Sequence, residues 1–588
     1  MLGLSFFYHD SAAALVQDGV LIAAGEEERF SRKKHDHGFP ELAINFCLKK
    51  AGISMQDIDY VVFYEKPFVK FERILLSSMA TFPRSMSVFR ESMLTWLTDK
   101  LWIKSLMKER MKIDPKKILF ADHHMSHAAA SYFCSPFEES AILTVDGAGE
   151  WTTATMGVGR QNKIQITHEM RFPHSIGLLY SAFTAFCGFE VNEGEYKLMG
   201  MAPYGTPKYV DKIKQVIQIG DDGSLWHDMS YFAYHWSPDS TLAKRFAEVF
   251  GPSRDPARAD KHMDEYYADV AASIQVVTEE ILIKMAKHLR KTTGMRNLCI
   301  SGGVGLNCVA NWKVLLESGF DRIYVQPAAG DDGAAVGAAF WAWNDLLGNN
   351  KRFVMEHAYW GSEYTDGEVH DFLKTLGPNS GVKFEEFTDD EKCLDRAVDY
   401  LTNGSVCGWF NGRFEWGPRS LGARSIIADP TRTDMKDIVN AKIKFREAFR
   451  PFAPSALMER VEDFFVMPNA ADHYPARFML YVVPVKGDKL PAIKHVDGSG
   501  RVQGVIKKYS PRYHRLIEKF GQATGVPVIL NTSYNLKGEP IVETPANAFN
   551  TYMKSGMDAL VIGNFIVKKT DPSMAAKSAV ASKAKEGA

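Results

Sequence analysis

Short apolar runs separated by turn residues open the chain in a pattern typical of β-strands. The runs LGLSFF, AAALV and VLIAAG follow one another at the N-terminus, and Asp18-Gly19 provides a turn. A similar unit starts at Ala141, where AILTV leads into DGAGEWTTATMGVG and then KIQITHEM. Each unit is a strand with a small polar cluster at its end, a return strand, a turn and a third strand. The repetition predicts two related lobes, at about 1–138 and 139–348.

Further along, helices alternate with strands. A long helical stretch, 261–294, precedes the strand–glycine loop–helix unit NLCISGGVGLNCVANWKVL. A strand at DRIYVQP follows, and then a glycine turn, AAGDDGAAVGAAFWAW, opens another helix. This alternation predicts an α/β fold. Duplicated lobes with acidic and glycine-rich turns facing a cleft are typical of actin-like sugar kinases and ATPases, so residues 1–348 are predicted to form such a domain.

A second domain is predicted beyond a polar, glycine-bearing connecting segment at 349–390. From 391 the pattern contains a helix, the strand SVCGWF and a strongly basic segment, and the last clear strand is DALVIGNFIVKK. These elements define a domain at 391–570. The tail 571–588 is poor in large apolar side chains and is expected to be disordered.

Composition narrows the class of protein. The 588 residues carry a net charge of −1, which predicts neither nucleic acid nor a membrane as partner. The N-terminus has no basic region before its apolar run, and no uncharged apolar run reaches about 18 residues, so neither a signal peptide nor a membrane span is expected. Seven scattered cysteines without a C-x-x-C pair fit a reducing compartment. We expect a cytoplasmic protein, and whether it forms a homodimer stays open.

The segment FADHHMSHAAASYF places His123 and His127 four residues apart, on one face of a predicted helix. Two imidazoles alone hold a transition metal poorly, so carboxylate partners are expected. Asp146 ends the predicted strand AILTVD, and Asp331 opens the turn GDDGAAVG. Two histidines and two carboxylates suit iron, manganese or zinc, with ligand softness favouring iron or zinc. Chance histidines and ordinary helix-capping aspartates are the alternative, and Asp332 competes with Asp331.

Three glycine loops offer backbone N–H groups to an anion. They are DGAGE at 146–150, EGEYKLMGMAPYG at 193–205 and SGGVGLN at 301–307. Each alone is a common kind of turn, but three in a duplicated α/β frame favour a nucleotide-type ligand. None matches G-x-x-x-x-G-K-[ST], so the protein is not a P-loop enzyme.

A basic segment lies between residues 411 and 455. It holds six arginines and three lysines, and glycines and prolines break up any helical face around Arg419 and Arg424. Guanidinium groups held in such turns suit bidentate recognition of phosphate. A solvated basic face is one alternative, and RNA binding is another, although RNA would predict a broader basic excess. Downstream, GSGRVQGV supplies Arg501, and VPVILNTSYN places Asn531 and Ser533 just past a strand end.

Together, these motifs resemble the NodU/CmcH-type O-carbamoyltransferase family from about residue 2 to 567. The motifs are HHMSHAAAS, VDGAGE, YKLMGMAPYG, SGGVGLN, GDDGAAVGAA, GPRSLGARSI, KFREAFRPFAP and LNTSYN. The resemblance implies an α/β protein with an actin-like N-terminal domain, built of duplicated RNase H-like lobes, and a YrdC-like C-terminal domain. It also implies two chemical steps. Carbamoyl phosphate and ATP give carbamoyl-adenylate, phosphate and pyrophosphate, and the carbamoyl group then passes to a hydroxyl of a small-molecule acceptor.

The same resemblance assigns residues to each step. The implied ligands of a metal, iron(II) in the best-known members, are His123, His127, Asp146 and Asp331, and Mg²⁺ is expected with ATP. His9 matches a proton acceptor near the transfer centre, and Asp10 is a weaker candidate. The residues implied to hold the adenylate in the N-terminal domain are Gly147, Lys197, Gly302, Gly303 and Asn307. The residues implied to bind carbamoyl phosphate and ATP in the C-terminal domain are Arg419, Arg424, Lys444, Arg450, Arg501, Asn531 and Ser533.

Other interpretations account for fewer of these features. Carbamoyl or threonylcarbamoyl transfer to a tRNA or protein is the main alternative, but the near-neutral charge counts against RNA. Hydrogenase-maturation carbamoyltransferases join the two domains in the other order. An actin-like kinase explains the lobes but neither the paired histidines nor the basic segment. The acceptor is not identified. The Met/Phe/Trp-rich segment 68–111 is interpreted first as helical core, and a cover over a bulky acceptor or an oligomer interface stays open as the alternative.

Overall fold

The structure is a computed structural model that describes residues 1–259, 262–378, 380–444, 447 and 449–570. The chain divides into two compact units. The first contains residues 1–27 and 37–355, and the second contains residues 28–36 and the chain from 356 onward. The division at 355 falls inside the segment 349–390, which was predicted to connect two domains. The tail 571–588, predicted to be disordered, lies outside the described residues.

The N-terminal part of the first unit forms a five-stranded sheet. Its strands are β1 (Leu2–Ser5), β2 (Ala12–Gln17), β3 (Val20–Glu26), β4 (Val61–Phe63) and β5 (Ile118–Phe120). They are ordered β3-β2-β1-β4-β5. The pairs β1–β2 and β2–β3 are antiparallel, whereas β1–β4 and β4–β5 are parallel. Nearly all residues of β1 and β2 are buried, as in a sheet covered on both faces.

The rest of the first unit contains a second five-stranded sheet with the same topology. The next strands along the chain are β6 (Glu139–Val145), β7 (Thr152–Arg160), β8 (Lys163–Arg171), β9 (Ile217–Ile219), β10 (Leu225–His227), β11 (Asn297–Ser301) and β12 (Arg322–Val325). β9 and β10 pair with each other, and the other five are ordered β12-β11-β6-β7-β8. The pairs β6–β7 and β7–β8 are antiparallel, and β6–β11 and β11–β12 are parallel. Both sheets therefore share one strand order and one set of directions, as two related lobes require.

Helices connect and cover these sheets. Helix α1 (Glu27–Ser31) belongs, apart from Glu27, to the second unit's segment 28–36. The helices of the first unit are α2 (Glu41–Ala51), α3 (Pro67–Ala80), α4 (Met86–Thr98), α5 (Ile103–Met111), α6 (His123–Tyr132), α7 (Ile176–Phe186), α8 (Glu195–Met201), α9 (Val210–Val216), α10 (Phe246–Phe250), α11 (Pro256–Ala259), α12 (Glu265–Thr293), α13 (Cys308–Ser318) and α14 (Asp331–Phe340). The α/β prediction is confirmed.

Helix α14 packs against both α6 and β1 with no room for larger side chains. A Cβ added at Gly337 would lie 1.8 Å from the Ser126 carbonyl oxygen of α6, and one added at Gly3 of β1 would lie 1.9 Å from the Ala335 carbonyl oxygen of α14. The glycines and alanines of GDDGAAVGAA therefore permit a close approach of two helices and a strand. Because α6 carries the paired histidines and α14 carries the aspartates of GDDG, this packing fixes their relative positions.

The second unit is built on an eight-stranded mixed sheet. Its strands and those of a small hairpin are β13 (Val382–Glu386), β14 (Cys407–Phe410), β15 (Arg424–Ala428), β16 (Ala453–Leu457), β17 (Val483–Pro484), β18 (Ser499–Gly500), β19 (Gln503–Val505), β20 (Val528–Ser533), β21 (Ala559–Ile562) and β22 (Phe565–Lys569). The sheet is ordered β13-β22-β21-β14-β15-β20-β16-β19, and β17 pairs with β18.

Several helices accompany this sheet in the second unit. They are α15 (Asp366–Thr375), α16 (Asp390–Thr402), α17 (Met435–Val439), α18 (Val461–Phe464), α19 (Tyr474–Arg477), α20 (Pro511–Thr524) and α21 (Pro545–Lys554). Leu401 of α16 and Tyr513 and Phe520 of α20 pack around Trp409 of β14 in one buried cluster. This core carries β15, β16 and β20, the strands that hold the polar residues predicted to bind ligands.

The segment 68–111 is helical, as predicted, and forms most of α3, α4 and α5. Its interpretation as ordinary helical core is wrong for one face. Phe68 is 70% exposed and Leu94 is 63% exposed, whereas Trp96 and Met107 are buried. The helical spacing alone could not show which apolar residues the rest of the unit covers. Among the described residues, no helix is long and apolar enough to cross a membrane.

Candidate active site

Helix α6 places two imidazoles in the interior of the first unit. Its first residue, His123, and His127 one turn later are both fully buried and share one face of the helix. The carboxylate of Glu150 accepts the backbone N–H of His123 at 3.0 and 3.2 Å. An acidic group at this point accepts a backbone N–H that has no partner within the helix, and its negative charge interacts favourably with the helix dipole. Glu150 also accepts the Lys66 N–H at 2.8 Å, so it joins the start of α6 to the chain that enters α3.

Four donor atoms converge beside this face of α6. The Nε2 atoms of His123 and His127 lie 3.1 Å apart. Asp146 Oδ2 is 3.3 Å from His123 Nε2. Asp331 Oδ1 is 3.3 Å from His127 Nε2 and 3.5 Å from His123 Nε2. All four residues are buried. The structure thus brings together the four residues that the sequence nominates as metal ligands, and we call them the His/Asp cluster.

The His/Asp cluster fits a divalent transition metal ion. Donor atoms about 2.1 Å from one shared ion lie about 3.0–3.4 Å from each other, close to the distances in the cluster. Asp331 Oδ2 and His127 Nδ1 have no hydrogen-bond partner among the described residues. Buried carboxylates are costly unless positive charge lies beside them. Two imidazoles and two carboxylates form a donor set that suits iron, manganese or zinc.

The residues of the cluster shift one another's pKa values. Without a cation, the His123 proton supplies positive charge beside the carboxylates, and a metal ion would have to displace that proton. Burial disfavours a charged imidazole, but the negative charge of Asp331 and the hydrogen bond of Asp146 raise the pKa of His123 well above its usual value. Burial likewise disfavours the Asp146 carboxylate, yet the hydrogen bond of His123 and the charge of His127 hold the pKa of Asp146 well below its usual value. Asp146 therefore stays ionised, as a metal ligand must.

Glu65 and Lys70 lie around this cluster, and the sequence analysis missed both. Glu65 Oε2 is 3.5 Å from His123 Nδ1 and 2.6 Å from Lys70 Nζ. Burial would raise the pKa of Glu65, but Lys70 and His123 lower it to about 2. A carboxylate beside the outer nitrogen of a ligand imidazole orients the ring. Glu65 could have been found by the signal that identified Asp146, because it follows the apolar run VVFY.

His9 and Asp10 lie in the loop between β1 and β2. His9 Nδ1 is 2.9 Å from Asp10 Oδ2, so this carboxylate orients the imidazole ring. Burial disfavours the imidazolium form, but the Asp10 hydrogen bond and the charge of Asp331 raise the pKa of His9 to about 9. Phe7 and Asp10 have φ angles of 74° and 51°. Positive φ angles in residues other than glycine cluster at functional sites.

Asp331, rather than Asp332, belongs to the His/Asp cluster. The adjacent carboxyl of Asp332 has a different environment. Burial and the negative charges of Glu26 and Asp10 raise the pKa of Asp332 to about 8. Consecutive residues at the start of α14 point in different directions, so only one of the two can face α6.

Gly302 and Gly303 border the His/Asp cluster. The Gly303 N–H donates to Asp146 Oδ1 at 2.8 Å, so Asp146 uses one oxygen for this loop and the other for the cluster. Gly302 has a φ of +94°, and a Cβ there would lie 2.2 Å from a carbonyl oxygen of β6. Only glycine fits this position. Gly147 directly follows Asp146, and its carbonyl accepts from Ser175 Oγ at 2.7 Å.

Asn307 and Lys197 are placed differently. Asn307 caps α13 by accepting the Ala310 N–H at 3.1 Å, and it exchanges hydrogen bonds of 3.1 and 3.2 Å with Gln275. Its side-chain amide is therefore already engaged within the protein. Lys197 lies on α8, and its Nζ is 5.7 Å from the centre of the Phe189 ring. Adenylate binding by Asn307 and Lys197 stays a prediction.

In the second unit, Lys444 and Ser533 share one hydrogen-bond network. Lys444 Nζ donates to the Ser533 carbonyl at 2.6 Å, to Ser533 Oγ at 3.2 Å and to Asn535 Oδ1 at 2.9 Å. Ser533 ends β20, and Lys444 is buried at the end of a π-helical turn, Asn440–Lys444. Lys444 Nζ also donates to the Asn535 carbonyl at 3.1 Å, so its three N–H groups are shared among four protein acceptors. Phosphate binding by Lys444 and Ser533 stays a prediction.

Asn531 lies in a buried polar cluster between three strands. Its Nδ2 donates to the Ser420 carbonyl at 3.1 Å and to Ser455 Oγ at 3.0 Å. Ser455 Oγ donates to Gln503 Oε1 at 2.6 Å. Within the described part of the chain, Asn531 Oδ1 and Ser420 Oγ have no hydrogen-bond partner. Buried polar atoms without partners call for a ligand or water. The sequence analysis found Asn531 but missed the other three, which come from distant segments.

Arg424 lies in the interior of the second unit. Its guanidinium group is fully buried, donates through Nη1 to three backbone carbonyls at 3.1 Å and lies 3.7 Å from the centre of the Phe410 ring. Burial lowers the pKa of Arg424 to about 10. These contacts engage Nη1 within the protein, whereas Nε has no hydrogen-bond partner among the described residues. Phosphate binding by Arg424 stays a prediction, and its contacts favour a structural role in the turn before β15.

The other predicted arginines lie nearer the surface. Arg419 and Arg501 are half-buried, and Arg450 Nη1 is 3.3 Å from Glu447 Oε2. In the part of the chain that the structure describes, the Arg501 side chain makes no hydrogen bond or ion pair. Phosphate binding at these three positions stays a prediction.

Two family models match the chain. The carbamoyltransferase N-terminus model matches residues 1–340, and the carbamoyltransferase C-terminus model matches residues 398–569. The chain belongs to the carbamoyltransferase family. It is therefore a transferase that moves carbamoyl groups, and the resemblance found in the sequence is confirmed.

Relatives of this carbamoyltransferase align over nearly its whole length. The uncharacterized protein sll1178 of Synechocystis is 44% identical, and the alignment covers 97% of each chain. Nodulation protein NolNO of Sinorhizobium fredii is 36% identical over 96% of this chain and 79% of its own. Nodulation protein U of Rhizobium tropici is 29% identical over 90% of each chain. The similarity therefore includes both units of the structure.

Proposed function

We propose that this carbamoyltransferase works in two steps at two sites. In the second unit, water hydrolyses carbamoyl phosphate to carbamate and phosphate, and the carbamate oxygen then attacks the α-phosphorus of ATP, which gives carbamoyl-adenylate and releases pyrophosphate. In the first unit, the hydroxyl oxygen of a small-molecule acceptor attacks the carbamoyl carbon, and AMP leaves. We assign the first unit to the actin-like fold and the second to the YrdC-like fold, with iron(II) at the His/Asp cluster and Mg²⁺ with ATP.

The first step uses the polar residues of the second unit. Lys444 and Ser533 bind phosphate oxygens, and Asn531 binds the carbamoyl group or the nucleotide through its unpartnered Oδ1. The arginines assigned to the phosphates of the two substrates are Arg419, Arg450 and Arg501. Their positive charge offsets the charge that develops as pyrophosphate leaves. Arg424 has a structural role in this proposal.

The second step uses the loops around the His/Asp cluster. A metal ion held there supplies a Lewis acid that stabilises negative charge on the carbamoyl oxygen. His9, oriented by Asp10, accepts the proton of the attacking hydroxyl. The charges of Asp331 and Asp146 contribute to the raised pKa of His9, so a cation at the cluster would lower that pKa and favour the neutral imidazole. The glycines at 147, 302 and 303 let the adenylate phosphate approach the backbone closely.

One observation carries this proposal: four buried donor atoms converge in the N-terminal unit of a carbamoyltransferase. A purely structural polar cluster would pair its own charges, whereas here a carboxylate oxygen has no partner among the described residues. A metal-assisted acyl transfer uses such a centre directly. The separate polar network of the second unit supports a distinct site for the phosphorylated substrates.

Pyrophosphate release from ATP, with and without carbamoyl phosphate and without any acceptor, tests the proposal. We expect release that depends on carbamoyl phosphate, because the first step needs no acceptor. Labelled carbamoyl phosphate should then yield a carbamoylated product when hydroxylated metabolites are added. Pyrophosphate release at the same rate with and without carbamoyl phosphate would contradict the proposed chemistry. Transfer of a labelled phosphate group, instead of a carbamoyl group, to the acceptor would also contradict it.

A further inference from the structure

Three basic residues follow one face of helix α3, beginning with the residue that precedes it. Lys66, Lys70 and Arg73 are separated by four and three positions, so they lie on the same side of the helix. Lys66 Nζ is 2.7 Å from a carboxylate oxygen of Asp122, the residue before α6. Lys70 Nζ is 2.6 Å from a carboxylate oxygen of Glu65. The first two cations of this face therefore have carboxylate partners.

Arg73, the third residue of this face, lacks such a partner among the described residues. Its guanidinium group lies 4.9 Å from the centre of the Phe172 ring. Within the part of the chain that the structure describes, the Arg73 side chain makes no hydrogen bond or ion pair, and its Nη1 is buried. A guanidinium group stays charged at neutral pH, and a buried charge is costly unless an opposite charge pairs with it. A water molecule can accept a hydrogen bond here, but it supplies no negative charge.

Two carboxylates lie within electrostatic range of Arg73 but bind other groups. Burial lowers the pKa of Arg73. The phenol of Tyr8 and the carboxylates of Glu65 and Glu150 oppose this shift. Glu65 pairs with Lys70, and Glu150 accepts backbone N–H groups at the starts of α3 and α6. A further anion can therefore bind Arg73 without displacing a group of the protein.

Tyr8 connects Arg73 with the transfer site. Burial raises the pKa of Tyr8, and the charges of Asp331 and Asp146 raise it further. The charge of Arg73 opposes this shift, so the Tyr8 hydroxyl interacts electrostatically with both Arg73 and the His/Asp cluster. The centre of the Tyr8 ring is 4.6 Å from the centre of the His9 ring. Because Tyr8 is 42% exposed, a ligand can reach this position from solvent.

We propose that Arg73 binds a carboxylate or phosphate group of the acceptor, so that the protein carbamoylates a hydroxyl compound that carries a negative charge. This inference rests on the proposed function, in which His9 accepts the proton of the acceptor hydroxyl. The adenylate phosphate is assigned to glycine loops of the second lobe, whereas Arg73 belongs to the first lobe and lies near Tyr8, the residue before His9. A guanidinium group offers two parallel N–H donors to such an anion. The anion then orients the acceptor hydroxyl towards His9.

Carbamoyl transfer to matched pairs of acceptors tests the proposal. Glycerol and glycerol 3-phosphate form one pair, glucose and glucuronate form the other, and transfer to each compound is measured with labelled carbamoyl phosphate and ATP. We expect the wild type to use the anionic member of each pair with the higher kcat/KM. Arg73→Leu should lower kcat/KM for the anionic member by about 100-fold, because an ion pair is lost, and should change that for the neutral member little.

Two further variants separate charge and position. Arg73→Lys keeps the charge but loses the two parallel donors, so it should retain a smaller preference for the anionic acceptor. Arg90→Leu is the matched control, since Arg90 is an exposed arginine of α4 and its loss should leave the preference unchanged. Because an unpaired buried charge does not stabilise a fold, Arg73→Leu should not lower the midpoint of thermal unfolding.

Three results would overturn the inference. The first is a wild type that uses neither anionic compound better than its neutral counterpart. The second is an equal loss with both members of a pair in Arg73→Leu, together with a lower midpoint of thermal unfolding, which would assign Arg73 a structural role. The third is an equal slowing of AMP release from carbamoyl phosphate and ATP without any acceptor, which would assign Arg73 to the adenylate phosphate.

Pyrophosphate release without an acceptor distinguishes a failure of this inference from a failure of the proposed function. If the wild type shows no release that depends on carbamoyl phosphate, the proposed function is wrong and this inference falls with it. If that release is present but anionic acceptors are not preferred, the inference alone is wrong.

Discussion

The His/Asp cluster of the first unit and the polar network of the second are both buried, but opposite charges dominate them. In the first, Asp146 and Asp331 converge with two imidazoles, and one carboxylate oxygen has no partner among the described residues. In the second, Lys444 lies among carbonyl and hydroxyl oxygens, beside the network of Asn531. A cation completes the first arrangement, and an anionic substrate suits the second. If the proposed division of the reaction is right, the difference in charge is what separates phosphate chemistry from carbonyl chemistry in this chain.

The largest expected effect is at His123. His123→Ala should remove bound transition metal and lower carbamoyl transfer by about 1,000-fold or more, because a ligand atom is lost. Metal analysis of the purified variant and product formation with labelled carbamoyl phosphate check this. His124→Ala is the control. The His124 imidazole is hydrogen-bonded to Thr144 Oγ1 at 2.6 Å and is not part of the cluster, so this variant should keep the metal. Equal metal content in the wild type and His123→Ala would contradict the assignment.

Arg424 tests whether positive charge in the second unit is structural. Arg424→Ala should lower the free energy of unfolding by about 3 kcal/mol, because several buried carbonyls lose their donor. Denaturant unfolding measures this. Arg501→Ala should leave stability unchanged within about 0.5 kcal/mol and lower pyrophosphate release instead. A stable Arg424→Ala protein with selective loss of pyrophosphate release would return Arg424 to the phosphate site.

Substitution of Lys444 tests whether its positive charge binds a phosphorylated substrate, as we propose. Lys444→Ala should slow carbamoyl-phosphate-dependent pyrophosphate release by about 100-fold, since an oriented ammonium group is removed. The matched control is Lys442→Ala. Lys442 lies two residues away and pairs with Asp558 at 2.9 Å, so its loss should leave the rate nearly unchanged. Equal effects of the two substitutions would show that general charge, not position, matters.

Asp10 is expected to have a smaller effect. Asp10→Asn should lower the rate of carbamoyl transfer by about 10-fold, because His9 loses its orienting carboxylate. The Asp10 hydrogen bond contributes to raising the pKa of His9 to about 9, so its removal should lower that pKa. The rising limb of the pH–rate profile should therefore move to lower pH. Asp18→Asn, in the exposed β2–β3 turn, should leave the profile in place.

The sequence predicted the His/Asp cluster because its signals are local. His123 and His127 share a helical face, and Asp146 and Asp331 each lie at the end or start of an element. The choice of Asp331 over Asp332 came from resemblance alone, since both positions open the same helix. Its physical reason is the close packing of α14 on α6, which brings only one carboxylate to the histidines.

Burial was the property that local patterns could not supply. Arg424 was grouped with the phosphate-binding arginines because the sequence shows a guanidinium in a glycine-rich turn but not what covers it. Ser455 and Gln503 were missed because they meet Asn531 only through pairing of strands that are distant along the chain. The exposed face of α4 was interpreted as core for the same reason.

The unit to which a residue belongs also depends on contacts between distant parts of the chain. The predicted boundaries were continuous, but residues 28–36 belong to the second unit. Arg32 explains part of this, since its guanidinium donates to the carbonyls of Ile541 and Pro540 at 2.5 and 2.7 Å. No sequence pattern around Arg32 predicts hydrogen-bond partners that lie more than 500 residues away along the chain.

The central claim is that the two sites divide the reaction. It is tested most directly by measuring metal content and carbamoyl-phosphate-dependent pyrophosphate release in both His123→Ala and Lys444→Ala, without an acceptor. The account predicts that His123→Ala loses its metal but releases pyrophosphate at nearly the wild-type rate, whereas Lys444→Ala keeps its metal and loses pyrophosphate release. If either substitution abolishes both properties in a folded protein, the division into two sites is wrong.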